Sequence, residues 1–267
     1  MEWRCIDTKE NSGAYNMAVD ETFIEAVASG ESIPILRFYG WKPSCVSIGY
    51  FQRVASSIDL VFCRENGIHV VRRITGGRTV LHQKEIAYSI VIPESHEFVK
   101  GSITEAYKKI SIGLLEGLKL CGIKAEFSPG ILHASTSSAC FEASSKYEIV
   151  IGGKKLVGSA QTRKKGVVLQ HGSIILDFDE AIFANCLGLS SDLRKKFIVD
   201  YKQKAASIFV DSGKNFSAEF IIEKIKKGFE EYANVNIIED NITKLEDKRL
   251  ISLKVKYSSE EWTHLKV

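Results

Sequence analysis

The sequence predicts an α+β protein, on three observations. One amphipathic segment near the N-terminus is followed by three strand-like runs in succession, a second helix carries a complete capping signature, and the middle third reads as strands joined by tight turns. Strands and helices are thus grouped rather than regularly alternating, which argues against a parallel doubly wound sheet. The 267 residues, 45% hydrophobic with only 4 Pro, carry enough apolar material for a core of ordinary globular size and exclude disorder, collagen and coiled coil.

Asn11 and Ser12 offer N-caps for a helix over 14–28, in which Met17, Phe23, Ile24 and Val27 face a core and Glu25 faces water. Asp20 falls inside that apolar stripe. Residues 35–39 and 45–48 read as strands split by a turn at 40–44, and 68–73 reads as another after the break at Gly67. A fourth strand over 86–92 leaves Thr75-Gly76-Gly77-Arg78-Thr79 in a corner between two strands, a position from which loops build sites. Ser102 and Glu105 form a capping box, and Ala106, Ile110, Leu114 and Leu118 recur at helical spacing until Gly122. A hairpin over 147–157 turns at Gly152-Gly153, and 167–176 supplies a further strand. From Asp179 the pattern is helical, with Ser217 capping a segment that carries Phe220, Ile221, Ile225 and Phe229. A short apolar run at 235–238 and a charged tail follow. Asp211-Ser212-Gly213-Lys214 reads as a linker, which divides the chain into 1–210 and a small C-terminal appendage, 211–267.

A formal charge of +3 is too mild to demand a nucleic-acid partner and leaves room for a weakly acidic one. The six cysteines form no C-x-x-C pair and no zinc spacing, and are too sparse for a disulfide scaffold, so reduced thiols in a cytosol are the simpler reading. No stretch approaches the ~18 apolar residues of a membrane span, and the N-terminus has no apolar leader. A soluble cytoplasmic protein without nucleic acid or membrane as partner is expected.

The segment from Arg72 to His82 places two adjacent glycines, hydroxyls and three guanidinium groups in one corner, where backbone N–H groups can approach a ligand's oxygens. A hairpin turn with solvated arginines is the plainer alternative. Cys140, in a stretch of small residues, is either a reactive loop thiol or inert packing. By the residues alone Lys155 is a solvated strand residue, Asp20 a hydrogen-bonded structural acid, and His82, His133 and His171 are acid/base candidates no better than structural ones. Arg163-Lys164-Lys165 reads as a turn on the solvated face.

Motifs spread from residue 14 to 262 carry a resemblance. They are Asn16-Met17-Ala18-Val19-Asp20-Glu21, Arg37-Phe38-Tyr39-Gly40-Trp41, Ser47-Ile48-Gly49-Tyr50-Phe51-Gln52, Arg72 to Arg78, Ala139-Cys140-Phe141-Glu142-Ala143, the Gly153 to Gln161 segment, and Lys256-Tyr257-Ser258-Ser259-Glu260-Glu261-Trp262. The chain resembles the biotin/lipoate protein ligase superfamily and, within it, the cysteine-dependent octanoyltransferases. That resemblance implies a mixed β-sheet flanked by helices, related to class II aminoacyl-tRNA synthetases, as a catalytic domain over 1–210. It implies transfer of octanoyl from acyl carrier protein to a lysine of a lipoyl domain, such as glycine-cleavage H protein. Cys140 would be the nucleophile, and Lys155 would lower its pKa. Arg73, Thr75, Gly76, Gly77, Arg78, His82, Gly158, Ser159 and Ala160 would bind substrate. Thioester exchange needs neither ATP nor metal, so no cofactor is implied. An ATP-dependent lipoate ligase is the competing reading, although such ligases resemble this chain less at Arg78, where they carry a third glycine, and at Cys140. The chain is also too short for the full accessory domain of the larger ligases. A non-catalytic effector-binding module is the third reading.

Overall fold

The computed structural model describes residues 1–128 and 147–265. β1 (Glu2–Asn11) is followed by α1 (Gly13–Ala28), β2 (Ile35–Trp41) and β3 (Cys45–Ile48). Two short helices, α2 (Val54–Ser57) and α3 (Leu60–Glu65), lead to β4 (His69–Arg72), β5 (Val80–His82) and β6 (Glu85–Pro93). After α4 (Ile103–Leu120) come β7 (Glu126–Phe127), β8 (Ile149–Ile151), β9 (Lys154–Lys164) and β10 (Val167–Ile175). The chain continues through α5 (Glu180–Cys186), α6 (Ser191–Lys204), α7 (Ile208–Asp211) and α8 (Ala218–Ala233) to β11 (Asn236–Glu239), α9 (Lys244–Ser258) and α10 (Glu260–Thr263).

Eight strands form one sheet in the order β11-β1-β2-β6-β10-β9-β8-β7, and β4-β3-β5 form a second. The large sheet is mixed: β1 runs parallel to β11 and β2, whereas β6, β10, β9 and β8 pair antiparallel in succession. Trp3, Phe38 and Tyr88 on one face are covered by α4 and α8, and Ile6, Tyr39 and Leu169 on the other by α1 and α9. The small sheet packs on α5 and α6. This is the α+β architecture the sequence predicts. Among the described residues no helix is long and apolar enough to cross a membrane.

Ser12 caps α1 through its side chain, and 12 of the helix's 16 residues are buried because it lies between the sheet and α9. Ser102 and Glu105 complete the capping box of α4. The crossing of α4 and α8 is closed to side chains: a Cβ on Gly117 would lie 2.4 Å from Ile225 Cα, and one on Gly228 2.4 Å from Gly117 N. Gly152 and Gly153, at φ +56° and +79°, make the expected two-residue turn between β8 and β9.

The described part of the expected 211–267 appendage, residues 211–265, does not stand apart. The apolar face of α8 needs a partner and finds α4, β11 extends the sheet beside β1, and α9 covers α1. Arg4 of β1 pairs with Glu246 of α9 at 2.6 Å, with both side chains buried. The Asp211–Lys214 signal marks only the turn between α7 and α8.

Glu21 of α1 accepts from Lys164 Nζ at 2.7 Å, Lys256 Nζ at 2.5 Å and Tyr257 Oη at 2.7 Å. Lys164 therefore lies at the end of β9 in an ion pair rather than in a solvated turn; the turn itself is Lys165 and Gly166, both at positive φ. Burial pushes the Glu21 carboxyl up, but its three partners outweigh this and bring it to about 2. A depressed carboxyl contributes stability above its unfolded value of 4.5 that is lost as pH falls toward the folded one. Glu21→Gln is expected to lower unfolding stability by about 3 kcal/mol at pH 7. It is expected to have little effect near pH 2. Urea unfolding at the two pH values measures it, and an equal loss at both would exclude the charge as the cause.

Candidate active site

The glycine corner lies between β4 and β5, which flank β3. Arg73 pins it from within: its guanidinium donates to Ser47 O and Oγ at 3.1 and 3.0 Å, Gly76 O at 2.9 Å and Arg78 O at 2.7 Å. Gly77 takes φ +94°. Gly49 must also lack a side chain, since a Cβ there would lie 2.0 Å from Gly77 O.

Two hydroxyl–imidazole–carboxylate chains meet behind the corner. In the first, Arg37 Nη1 donates to Asp20 Oδ1 at 2.7 Å, Asp20 Oδ2 faces His171 Nδ1 at 2.8 Å, and His171 Nε2 lies 2.7 Å from Thr75 Oγ1. Burial raises the Asp20 carboxyl, but the His171 hydrogen bond and the Arg37 charge more than reverse this and hold it below the usual range. An ionised Asp20 only accepts, so His171 Nδ1 carries a proton and donates to it, which leaves Nε2 facing the Thr75 hydroxyl. In the second chain Ser47 Oγ lies 2.7 Å from His82 Nε2, and His82 Nδ1 lies 2.7 Å from Glu85 Oε1, which also accepts from Ser173 Oγ at 2.6 Å. The His82 ring stacks on Trp41 at 4.0 Å between centroids. Both carboxylates fix their imidazoles, so the corner and the strands around it form one rigid wall.

This wall bounds a half-open cleft with about 500 Å³ of empty space, the solvent at its mouth included. Of the residues expected to bind substrate, Arg73, Gly77, His82, Gly158, Ser159 and Ala160 line it. Thr75 is buried behind it against His171, while Gly76 and Arg78 are not wall residues. The expectation for Arg73 therefore changes in kind: its donors hold the loop's carbonyls.

Lys155 is buried on β9, its Nζ 2.5 Å from Glu148 Oε1, which corrects its reading by position alone as a solvated strand residue. It too is absent from the cavity wall. Lys154, one residue away, points outward to Asp211 at 3.2 Å, as strand alternation requires. Cys140 and His133 lie outside the described residues. The other five cysteines are buried. Burial pushes Cys5 up to about 12 and Cys121 to about 11, raises Cys45 further, and adds to a hydrogen bond with Cys63 in raising Cys186.

Residues 12–230 match the lipoyl protein ligase A/B catalytic domain. The chain belongs to that family. Over 270 residues it is 44% identical to the octanoyltransferase LipM of Macrococcus caseolyticus, covering 98% of each chain. Among solved structures it is similar to the bi-partite lipoate protein ligase of Thermoplasma acidophilum, studied with its E2 lipoyl domain, at TM-score 0.85 and 26% identity over 100% of this chain and 98% of that one. It is similar also to a lipoate-protein ligase A bound with ATP, at TM-score 0.80 and 27% identity over the whole of both chains.

Within this family fold the cavity also uses residues that were not among those expected to bind substrate. Met17, Tyr39, Trp41 and Ser47, which lie inside the motifs quoted above, line it, as do His171 and Ser173, which lie in none of them. The available signal was polarity in the wrong place: Ser47 and Ser173 interrupt apolar strands, and Asp20 interrupts an apolar helix stripe. A polar side chain there needs a buried partner, and the partners are the two histidines.

Proposed function

We propose that the chain moves an octanoyl group from the thioester of an acyl carrier protein to the ε-amine of a lysine on a lipoyl domain, through a thioester on Cys140. One observation carries this reading: near-full-length identity of 44% to a protein named octanoyltransferase.

In the first half-reaction the Cys140 thiolate attacks the octanoyl carbonyl carbon, and the carbon–sulfur bond to the carrier breaks. The carrier thiolate leaves and takes up a proton. In the second, the neutral lysine amine attacks the Cys140 thioester, forms the carbon–nitrogen bond, gives up a proton and releases the Cys140 thiolate. The apolar part of the cavity, with Met17, Tyr39 and Trp41, suits an alkyl chain. The Lys155 ammonium favours the thiolate if it lies beside the sulfur, and buried Glu148 fixes its direction.

The second reading, a lipoate ligase, is favoured by the likeness to the ATP-bound ligase. Incubating the protein with octanoyl-carrier protein and a lipoyl domain, without nucleotide, is expected to give the octanoylated domain at an undiminished rate. Free octanoate or lipoate with Mg-ATP is expected to give no pyrophosphate. Lipoate-dependent pyrophosphate release with no transfer from the carrier would move the chain to the ligases.

A further inference from the structure

Arg72 is fully buried and forms no ion pair among the described residues. Its guanidinium is instead held by backbone carbonyls from two separate stretches. Nη1 donates to Gly49 O at 3.2 Å, Tyr50 O at 2.5 Å and Gln52 O at 2.8 Å, in the turn after β3. Nε and Nη2 donate to Trp262 O at 3.1 Å, Thr263 O at 2.9 Å and Leu265 O at 3.2 Å, at the far end of the chain. Trp262 returns the contact, donating Nε1–H to Arg72 O at 2.9 Å and packing its ring 5.9 Å from that of Tyr50.

The turn so held is the one that supports the glycine corner. Tyr50 N–H donates to Thr75 O at 2.9 Å, and Gln52 Oε1 accepts from Gly49 N–H at 2.9 Å and Thr79 Oγ1 at 3.3 Å. Gly49 itself lies against Gly77 O. A continuous path of hydrogen bonds thus runs from residues 262–265 through Arg72 and the turn to the cavity wall. A buried guanidinium that has no counter-ion among the described residues depends on the carbonyl dipoles around it. Removing the tail would take away about half of them and draw Arg72, with the turn it holds, toward water. These residues lie beyond the 12–230 stretch that matches the family.

We propose that residues 259–265 belong to the reaction apparatus, with Trp262 and Arg72 as positioning residues that hold the Gly49–Gln52 turn and, through it, the glycine corner in the form that receives the acyl donor. The functional half of this rests on the octanoyl-transfer reading; the mechanical half does not. A tail that merely added stability would loosen the whole fold evenly.

The test compares Trp262→Ala, Trp262→Phe and Arg72→Lys with the parent, all as full chains. Amide exchange at Tyr50 is expected to rise roughly tenfold in Trp262→Ala and Arg72→Lys, with β6 amides such as Ile90 unchanged. Trp262→Phe, which keeps an aromatic ring but loses the indole's five-membered ring with its N–H, should fall between and guards against a misfolded alanine variant. For acylation of Cys140 by octanoyl-carrier protein, the KM is expected to rise about tenfold while kcat stays within about threefold. Unchanged exchange at Tyr50, or a uniform acceleration across the sheet, would overturn the proposal. So would an unaltered KM in a variant whose Tyr50 exchange has risen. A parent protein that takes no acyl group from the carrier defeats the octanoyl-transfer reading, and with it the proposed role in catalysis; the exchange comparison still decides whether the tail holds the turn.

Discussion

Cys140→Ala is expected to abolish octanoyl transfer, and Cys140→Ser to slow it by about a thousandfold or more, because a serine hydroxyl is scarcely ionised near neutral pH and no other residue takes over the nucleophile. Mixing the parent with octanoyl-carrier protein and no acceptor should add about 126 Da, one octanoyl in place of a hydrogen, to the peptide holding Cys140, and hydroxylamine should remove it. Four of the five other cysteines sharpen the experiment, whereas the Cys63 thiol is lowered by its hydrogen bond with Cys186. Cys5 and Cys121 are buried, with thiols pushed up to about 12 and 11, and Cys45 and Cys186 are raised as well. They present almost no thiolate at pH 7, so acyl mass on any of them would contradict the assignment. Full transfer by Cys140→Ser would remove the covalent intermediate.

Local signals in the chain were legible where one face of an element is buried and the other is wet. The capping box of α4 and the glycine turn of the β8–β9 hairpin are local features, set by a few neighbouring residues. β1 left no such trace. Trp3 and Cys5 enter one core, Ile6 enters the other, and Arg4 meets Glu246, so alternation between apolar and polar disappears in a strand covered on both faces. The packing of the C-terminal stretch is hidden for a related reason: a linker-like turn can be seen in sequence, whereas the partner of α8 lies about a hundred residues earlier in α4.

The site divides along the same line. Motifs placed the glycine corner and the 158–160 strand at the cavity. They could not show that Arg73 is turned into its own loop, or that Asp20 and Glu85 hold two histidines, because those are contacts between distant residues. Asp20 on an apolar stripe was the visible half of such a contact. Its other half, His171, is 151 residues away.

The Lys155 side chain yields the second large effect. If its ammonium lies within ~4–6 Å of the Cys140 sulfur, it lowers the thiol pKa from the ordinary ~8.5, and a drop of ~1.5 units raises the thiolate fraction at pH 7 from about 3% to about half. Lys155→Met should therefore slow octanoyl transfer by at least about tenfold at pH 7 and move the alkylation curve of Cys140 to higher pH. The difference should shrink as pH rises through the unperturbed thiol value, since the variant's thiol then ionises unaided. Lys154→Met, whose side chain faces Asp211 on the opposite side of β9, should change neither. Structural damage has to be separated from chemistry, because removing Lys155 takes away the ammonium that lies 2.5 Å from the buried Glu148 carboxylate, a change of up to about 3–5 kcal/mol in stability. Adding Glu148→Gln to Lys155→Met removes the buried charge that faced Lys155. The double variant should regain most of the lost stability in urea unfolding while transfer at pH 7 stays slow. If activity returned together with stability, Lys155 would be a partner of Glu148 alone, and the activator of Cys140 would have to be sought at another group, with His82 and His171 the imidazoles already at the cavity wall.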